Sequence, residues 1–344
     1  MNSASNSFPL PANSHGRSHS QAGLTLVELL VALVISTVIA VAAVSALVAS
    51  RQGFSTVDAA AQLRENARFA TELIRRLGVQ AGFDDVSWAA SSRVGGDPTN
   101  PDPNVTGFNN STSSASDPSN VAVARTGATS PGYGSDVLVI RYQIASTFPS
   151  SGVSDLSMID CSGNASTVVP VNRDDRAWSV IHVAPSAVDG ELSLMCSSAN
   201  PTTGVISVQP IIRGVENFQV LYGVVGVIPN TAPTGLPTSS VADRYLRADQ
   251  MTVPGNLMGT NDNWRRVRSL RIGMILRGPV GSFPEGQTQP TLYPLGQAAD
   301  SSGGTAGSAL SSATDPGTIF TPAVDRRLRQ VVTFTIHLRN EQGL

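Results

Sequence analysis

From Leu24 to Ala49 the sequence reads LTLVELLVALVISTVIAVAAVSALVA, an apolar run with one ionisable side chain, Glu28. As a helix the run extends about 39 Å at 1.5 Å per residue, enough to cross a hydrocarbon core of about 30 Å. A carboxylate inside such a run costs about 2.5–3.5 kcal/mol on insertion scales, less near the end of the span. It therefore marks either a function or a compensating positive charge. A secretory signal peptide is one reading, since small residues near Ser50 offer cleavage sites, but the run far exceeds an h-region of about 7–15 residues. A plain membrane anchor is a second, and it leaves Glu28 unexplained except by snorkelling to the interface.

A third reading joins the run to the residue before it. Gly23 followed by Leu24, Thr25, Leu26, Val27 and Glu28 resembles the type IV prepilin signature. The resemblance implies cleavage by a prepilin peptidase after Gly23, N-methylation of Leu24 as the new N-terminus, and retention of the apolar helix on the mature chain. Phe is commoner than Leu at that first mature position. The preceding leader holds Arg17, His15 and His19 but no lysine, so the positive-inside signal is weak and the motif carries the orientation. Under this reading Glu28 pairs with an N-terminal amine, its own or a neighbour's, and registers the subunit during docking. Opposite charges removed from water attract strongly, and either one left alone is costly.

Beyond the apolar run the text changes character without a Pro or turn cluster to stop it. Val57, Leu63, Ala67, Ala70, Leu73, Ile74 and Leu77 recur every three or four residues, one apolar stripe on a continuing helix. Gly53 is a soft point in it, and Gly78 and Gly82 are its natural terminators. Tracts rich in Ser, Asn, Asp, Pro and Gly at 91–135, 235–263 and 280–318 read as long exposed loops. Between them lie strand candidates at 136–142, 177–184, 191–195, 204–214, 215–225, 265–277 and 327–340. In the last, Val332, Phe334, Ile336 and Leu338 alternate with Thr333, Thr335, His337 and Arg339, the pattern of a half-buried strand.

These blocks, among them RENARFATELIRRLGVQAGF, SDVLVIRY, IIRGVENFQVLYGV, WRRVRSLRIGMILR and RRLRQVVTFTIHLRN, resemble the PilW family of minor pilins in order and spacing. The resemblance implies an α+β fold: a long N-terminal transmembrane and amphipathic helix packed on an antiparallel β-sheet domain with long loops. The expected organisation is a cleaved leader at 1–23, a transmembrane part at 24–50, an amphipathic continuation at 51–78 and a β-rich periplasmic or extracellular domain at 79–344. The implied function is that of a non-enzymatic minor pilin that primes or caps a type IV pilus, stored in the inner membrane and later carried to the cell surface. Its implied partners are other minor and major pilins, the prepilin peptidase and the inner-membrane assembly machinery. A type II secretion pseudopilin is the first alternative, and a pilus-tip adhesin or DNA-uptake protein, acting through the loops at 91–135 and 280–318, is the second.

The chain contains two cysteines, Cys161 and Cys196, both after the apolar run. If the run sends them out of the cytoplasm they meet an oxidising compartment, and a disulfide between them is the economical reading. No ligand spacing accompanies them that would suggest zinc. Charged residues make up only 14% of the chain and the net charge is −2, which gives no global reason to expect nucleic acid. The one basic concentration, arginines 265, 266, 268, 271, 277, 326, 327, 329 and 339, reads as a solvated or subunit-facing surface more than a DNA contact. No nucleophile elbow, P-loop or dinucleotide fingerprint occurs. His182 and His337 read as sheet residues, and Asp174, Asp175 and the NDN at 261–263 as turn formers, so neither cofactor nor metal is expected.

Overall fold

The computed structural model describes residues 23, 25–92, 100–200, 202–237, 239–297 and 310–340. His15, Arg17, His19, Leu24 and parts of all three loop tracts fall outside that set. The chain divides into two units, one ending at Arg51 and one beginning at Gln52.

Helix α1 spans Leu26–Gln80, 55 residues, and passes through Gly53 as helix. In the second unit its buried residues are Ala59, Leu63, Ala67, Ala70, Ile74 and Leu77, spaced by three and four, so the expected stripe is the packed one. Val57 departs from it. At 100° per residue Val57 lies on the opposite face, and it is exposed, with Ala59 taking its place in the stripe. The helix also runs past Gly78. That glycine is buried against Ile336, and a Cβ on it would stand 2.7 Å from Ile336 Cγ2, so it is there for close approach. Termination falls at Gly82, whose φ of 70° turns the chain and whose N–H donates to Arg141 C=O at 2.9 Å.

Two antiparallel sheets receive the helix. The first has the order β1 (Val105–Phe108), β4 (Val137–Tyr142), β5 (Ala177–Pro185), β6 (Leu192–Ala199), β7 (Ile206–Arg213). The second has the order β11 (Arg329–His337), β10 (Val267–Arg277), β8 (Val215–Val224), β9 (Arg244–Leu246). Gly214 alone joins β7 to β8, and so moves the chain from one sheet to the other. Its φ is 75°, and a Cβ there would meet Arg277 C=O at 2.4 Å, so only glycine fits this corner.

The sheets share one core with α1, in which Ile74, Leu77, Leu138, Ile140, Phe218, Tyr222, Ile272 and Ile336 are among the buried side chains. β4 is buried on both faces, which explains the apolar run at 137–140. Leu138 and Ile140 point into the main core, while Val137 and Val139 join Val180 in a smaller cluster with Phe108, Ala122 and Trp178.

The loop tracts hold more structure than expected. β1 and a two-stranded ribbon, β2 (Ser111–Ser113) with β3 (Ala122–Ala124), lie within 91–135. Helices α2 (Ala248–Met251) and α3 (Leu257–Arg265) and strand β9 lie within the second tract and its margin. Arg265 therefore ends a helix and does not begin a strand. Asn263 is fully buried and donates from Nδ2 to Thr231 and Met251 carbonyls at 3.0 Å, which ties α3 to the preceding loop.

Candidate assembly surface

Gly23 is exposed, and Leu24 lies outside the described residues. Thr25 opens α1: its carbonyl accepts from Leu29 N–H at 3.1 Å, and its Oγ1 accepts from Glu28 N–H at 3.3 Å. Thr25 is thus an N-cap with Glu28 at the third helical position, the spacing of a capping box. The pattern is present in the sequence, and a search for chemistry alone passes over it. Glu28 also stands in the first turn, where a negative charge complements the helix dipole.

The other polar side chains in the apolar run are satisfied within the helix. Ser36, Thr37 and Ser45 donate to the carbonyls of Ala32, Val34 and Val41 at 2.7, 2.7 and 2.8 Å. In hydrocarbon such internal bonds remove the penalty of an unmatched hydroxyl. The Glu28 carboxylate accepts no such bond among the described residues. Every large apolar side chain from Leu26 to Val48 is more than half exposed, on all sides of the helix. A helix apolar all round needs lipid or other apolar helices about it. Farther along α1, Phe54, Val57 and Phe69 are exposed.

Cys161 and Cys196 form a disulfide with Cα atoms 5.5 Å apart, tying the loop after β4 to β6. Both are buried.

Of the nine arginines in the basic concentration only Arg326 and Arg339 are exposed, so they do not form one solvated surface. Arg265, Arg266 and Arg329 are buried, and Arg277, Arg327 and Arg329 belong to one ionic network. Arg277 Nε donates to Glu191 Oε1 at 2.8 Å and Arg277 Nη1 to Glu216 Oε1 at 3.1 Å. Arg327 Nη1 reaches the same Glu191 oxygen at 3.0 Å. Arg329 bonds Glu216 through Nε at 2.6 Å and Asp325 through Nη2 at 2.7 Å. Burial pulls the Arg329 guanidinium down and the Asp325 and Glu216 carboxylates push it up, with a net rise. Because Glu191 precedes β6 and Glu216 lies on β8, the network fastens one sheet to the other.

His182 sits buried on β5, its Nε2 3.2 Å from Ser197 Oγ. Burial, with the Arg125 guanidinium second, lowers its pKa to about 4, so the ring is neutral. Asp136 accepts from Asn110 and Val220 N–H groups at 2.9 and 2.8 Å. Burial, with nearby Asp315 second, raises its carboxyl well above the ordinary range. No group of three or more metal-ligating side chains comes together among the described residues. Asp174 precedes β5, and Asn261, Asp262 and Asn263 lie within α3.

A single long apolar helix whose second half packs on antiparallel sheets is the architecture of a type IV pilin. Residues 182–340 match the family described as type IV pilus-assembly protein W, PilW, and residues 18–44 match the prokaryotic N-terminal methylation motif. Together the two matches support a PilW-family type IV pilin. Among solved structures, a type IV-like pilin from Thermus thermophilus aligns over 81% of this chain and 98% of its own, at 11% identity and a TM-score of 0.35. That likeness is too slight to bear on the assignment. No curated protein matches the chain.

Proposed function

We propose that this protein is a minor pilin, a non-enzymatic subunit made as a precursor and built into a type IV pilus. The prepilin peptidase cuts between Gly23 and Leu24, and Leu24 is N-methylated. Residues 24–50 hold the protein in the inner membrane, 51–78 continue the helix, and 79–344 form the periplasmic domain. On assembly with other minor and major pilins the apolar helix leaves lipid for a bundle of like helices, and the protein reaches the cell surface. The observation that carries this reading is Glu28. It is the charge in a helix whose hydroxyls already bond their own backbone, so its compensation must come from an N-terminal amine at the start of this helix or the next. The PilW match supports a pilus over a secretion pseudopilus.

The test is assembly. Glu28→Val should be cleaved and inserted normally, because an apolar side chain costs less in the bilayer. It should be recovered poorly in sheared pili, since nothing fixes its axial position and the partner amine is buried alone. Glu28→Gln should show a milder defect. Immunoblots of membrane and pilus fractions decide the matter, and equal incorporation of all three forms would refute registration by Glu28. Gly23→Ala should leave a longer precursor in the membrane.

A further inference from the structure

A sheet margin offers its unpaired N–H and C=O groups to any extended chain, and proteins blunt such margins unless they use them. Of the four margins of the two larger sheets, three are blunted. β7 contains Pro210, which has no N–H, and it pairs with β6 through a register shift between Leu194 and Met195. β1 has 4 residues and β9 has 3. β11 differs, with 9 residues, no Pro or Gly, and an unbroken register against β10 from Ser269–His337 to Arg277–Arg329.

The bonds at the two ends of β11 fix which groups point outward. Gly278 N–H donates to Leu328 C=O at 2.7 Å, and Leu338 N–H to Arg268 C=O at 2.9 Å. Even-numbered residues therefore bond to β10, and odd-numbered ones turn their N–H and C=O to the margin. Arg329 is covered, its N–H donating to Gln289 Oε1 at 2.8 Å. Val331, Thr333, Thr335 and His337 find no backbone partner on that side among the described residues. Beside them a groove of about 940 Å³ opens between Arg64–Glu72 of α1 and Gln330–Thr333 of β11. Exposed Phe69 lines it, and half-buried Val332 and Phe334 carry the apolar face of the sheet out to the margin.

We propose that this margin and groove receive an extended segment of another protein, added as a further strand to the second sheet. The free N–H and C=O groups specify a strand, and Phe69 and Val332, set among Arg64, Glu65, Arg68 and Glu72, specify apolar side chains where that strand meets them on the side facing α1. Arg339, exposed and with no ion pair among the described residues, specifies a carboxylate near that end. A second copy of this chain fits poorly. β11 holds no acidic residue, so a second copy paired through the same strand offers Arg339 no carboxylate from it, and with Thr333 facing Thr335 it sets Arg339 against Arg329. The inference rests on the sheet margin and not on the membrane helix, so it stands or falls apart from the role given to Glu28.

Site-specific photo-cross-linking of the full-length protein in its own cells tests this. A benzophenone side chain at His337 should give a discrete adduct with a different protein, mapped by mass spectrometry to a segment of alternating apolar residues flanked by an acid. The same probe at Val208 on β7 should give none. With the probe at His337, Thr335→Pro removes one outward N–H and no bond to β10, and should reduce the adduct at least tenfold, whereas Thr335→Val should preserve it. Protease resistance checks that the proline variant folds, and Val331→Pro carries the same test if it does not. Equal adducts from His337 and Val208, no adduct at His337, an adduct within this chain such as to 298–309, a homotypic adduct, or indifference to both prolines would each overturn the proposal.

Discussion

Replacing Cys161 and Cys196 together with alanine removes a cross-link that closes 35 residues of chain. Loop-closure entropy for that span is about −13 cal/mol/K, which is about 4 kcal/mol at 25 °C. Both sulfurs are buried, so truncation to alanine adds a packing loss of roughly 1–2 kcal/mol. Against a typical domain stability of about 5–15 kcal/mol this is a large fraction. At about 2 °C per kcal/mol for a domain of this size, the melting midpoint should fall by roughly 10 °C. The assay is thermal and urea unfolding of the full-length protein in detergent, followed by the fluorescence of Trp88, Trp178 and Trp264. Wild type refolded in reductant keeps the sulfur atoms and loses only the cross-link, so the entropic part appears there and the packing part in its difference from the double alanine variant. Reduced wild type unfolding within about 1 kcal/mol of the oxidised protein would refute the account.

Gly78→Leu should destabilise the domain by about 1–3 kcal/mol, because its Cβ would stand 2.7 Å from Ile336 Cγ2, and Ile336→Ala should restore part of the loss in the same unfolding assay. Gly78→Ala should be closer to neutral, since helix propensity offsets the crowding. Arg329→Met should cost about 3 kcal/mol by leaving Asp325 without its ion-pair partner and Glu216 with Arg277 alone, and Asp325→Asn in that background should recover part of it. His182 has a folded pKa of about 4 against an unfolded value of 6.5, so the stability of its neutral form is complete above pH 6.5 and is lost as pH falls through 4. The unfolding free energy of His182→Phe should therefore improve relative to wild type by about 3 kcal/mol between pH 7 and pH 4, and a flat difference would show that His182 does not titrate in this way.

What the sequence made legible were features whose partners are close along the chain. The stripe from Leu63 to Leu77 is read correctly because a helix brings residues three and four apart onto one face, and the alternation from Val332 to Leu338 because a strand repeats every second residue. Val57 departs for a reason internal to the same rule: it stands six positions before Leu63, which at about 100° per residue leaves it about 120° off that side chain, and no neighbour in sequence corrects it. β1, β2 and β3 are short and rich in Ser, Thr and Gly, and they become strands only because β4 and one another supply the missing hydrogen bonds. Gly78 shows the same limit from the other side. Local rules name it a terminator, but the helix continues because β11, more than 250 positions later, occupies the space a side chain would need. The arginines failed for the same cause, since the carboxylates that neutralise Arg329 and Arg277 come from β8 and from the approach to β6. Glu28 stands between the two cases. The Thr25 cap that fixes its place in the first turn is three residues away and visible in the sequence, whereas its counter-charge, on the reading proposed above, belongs to an N-terminal amine that no spacing within the helix can supply.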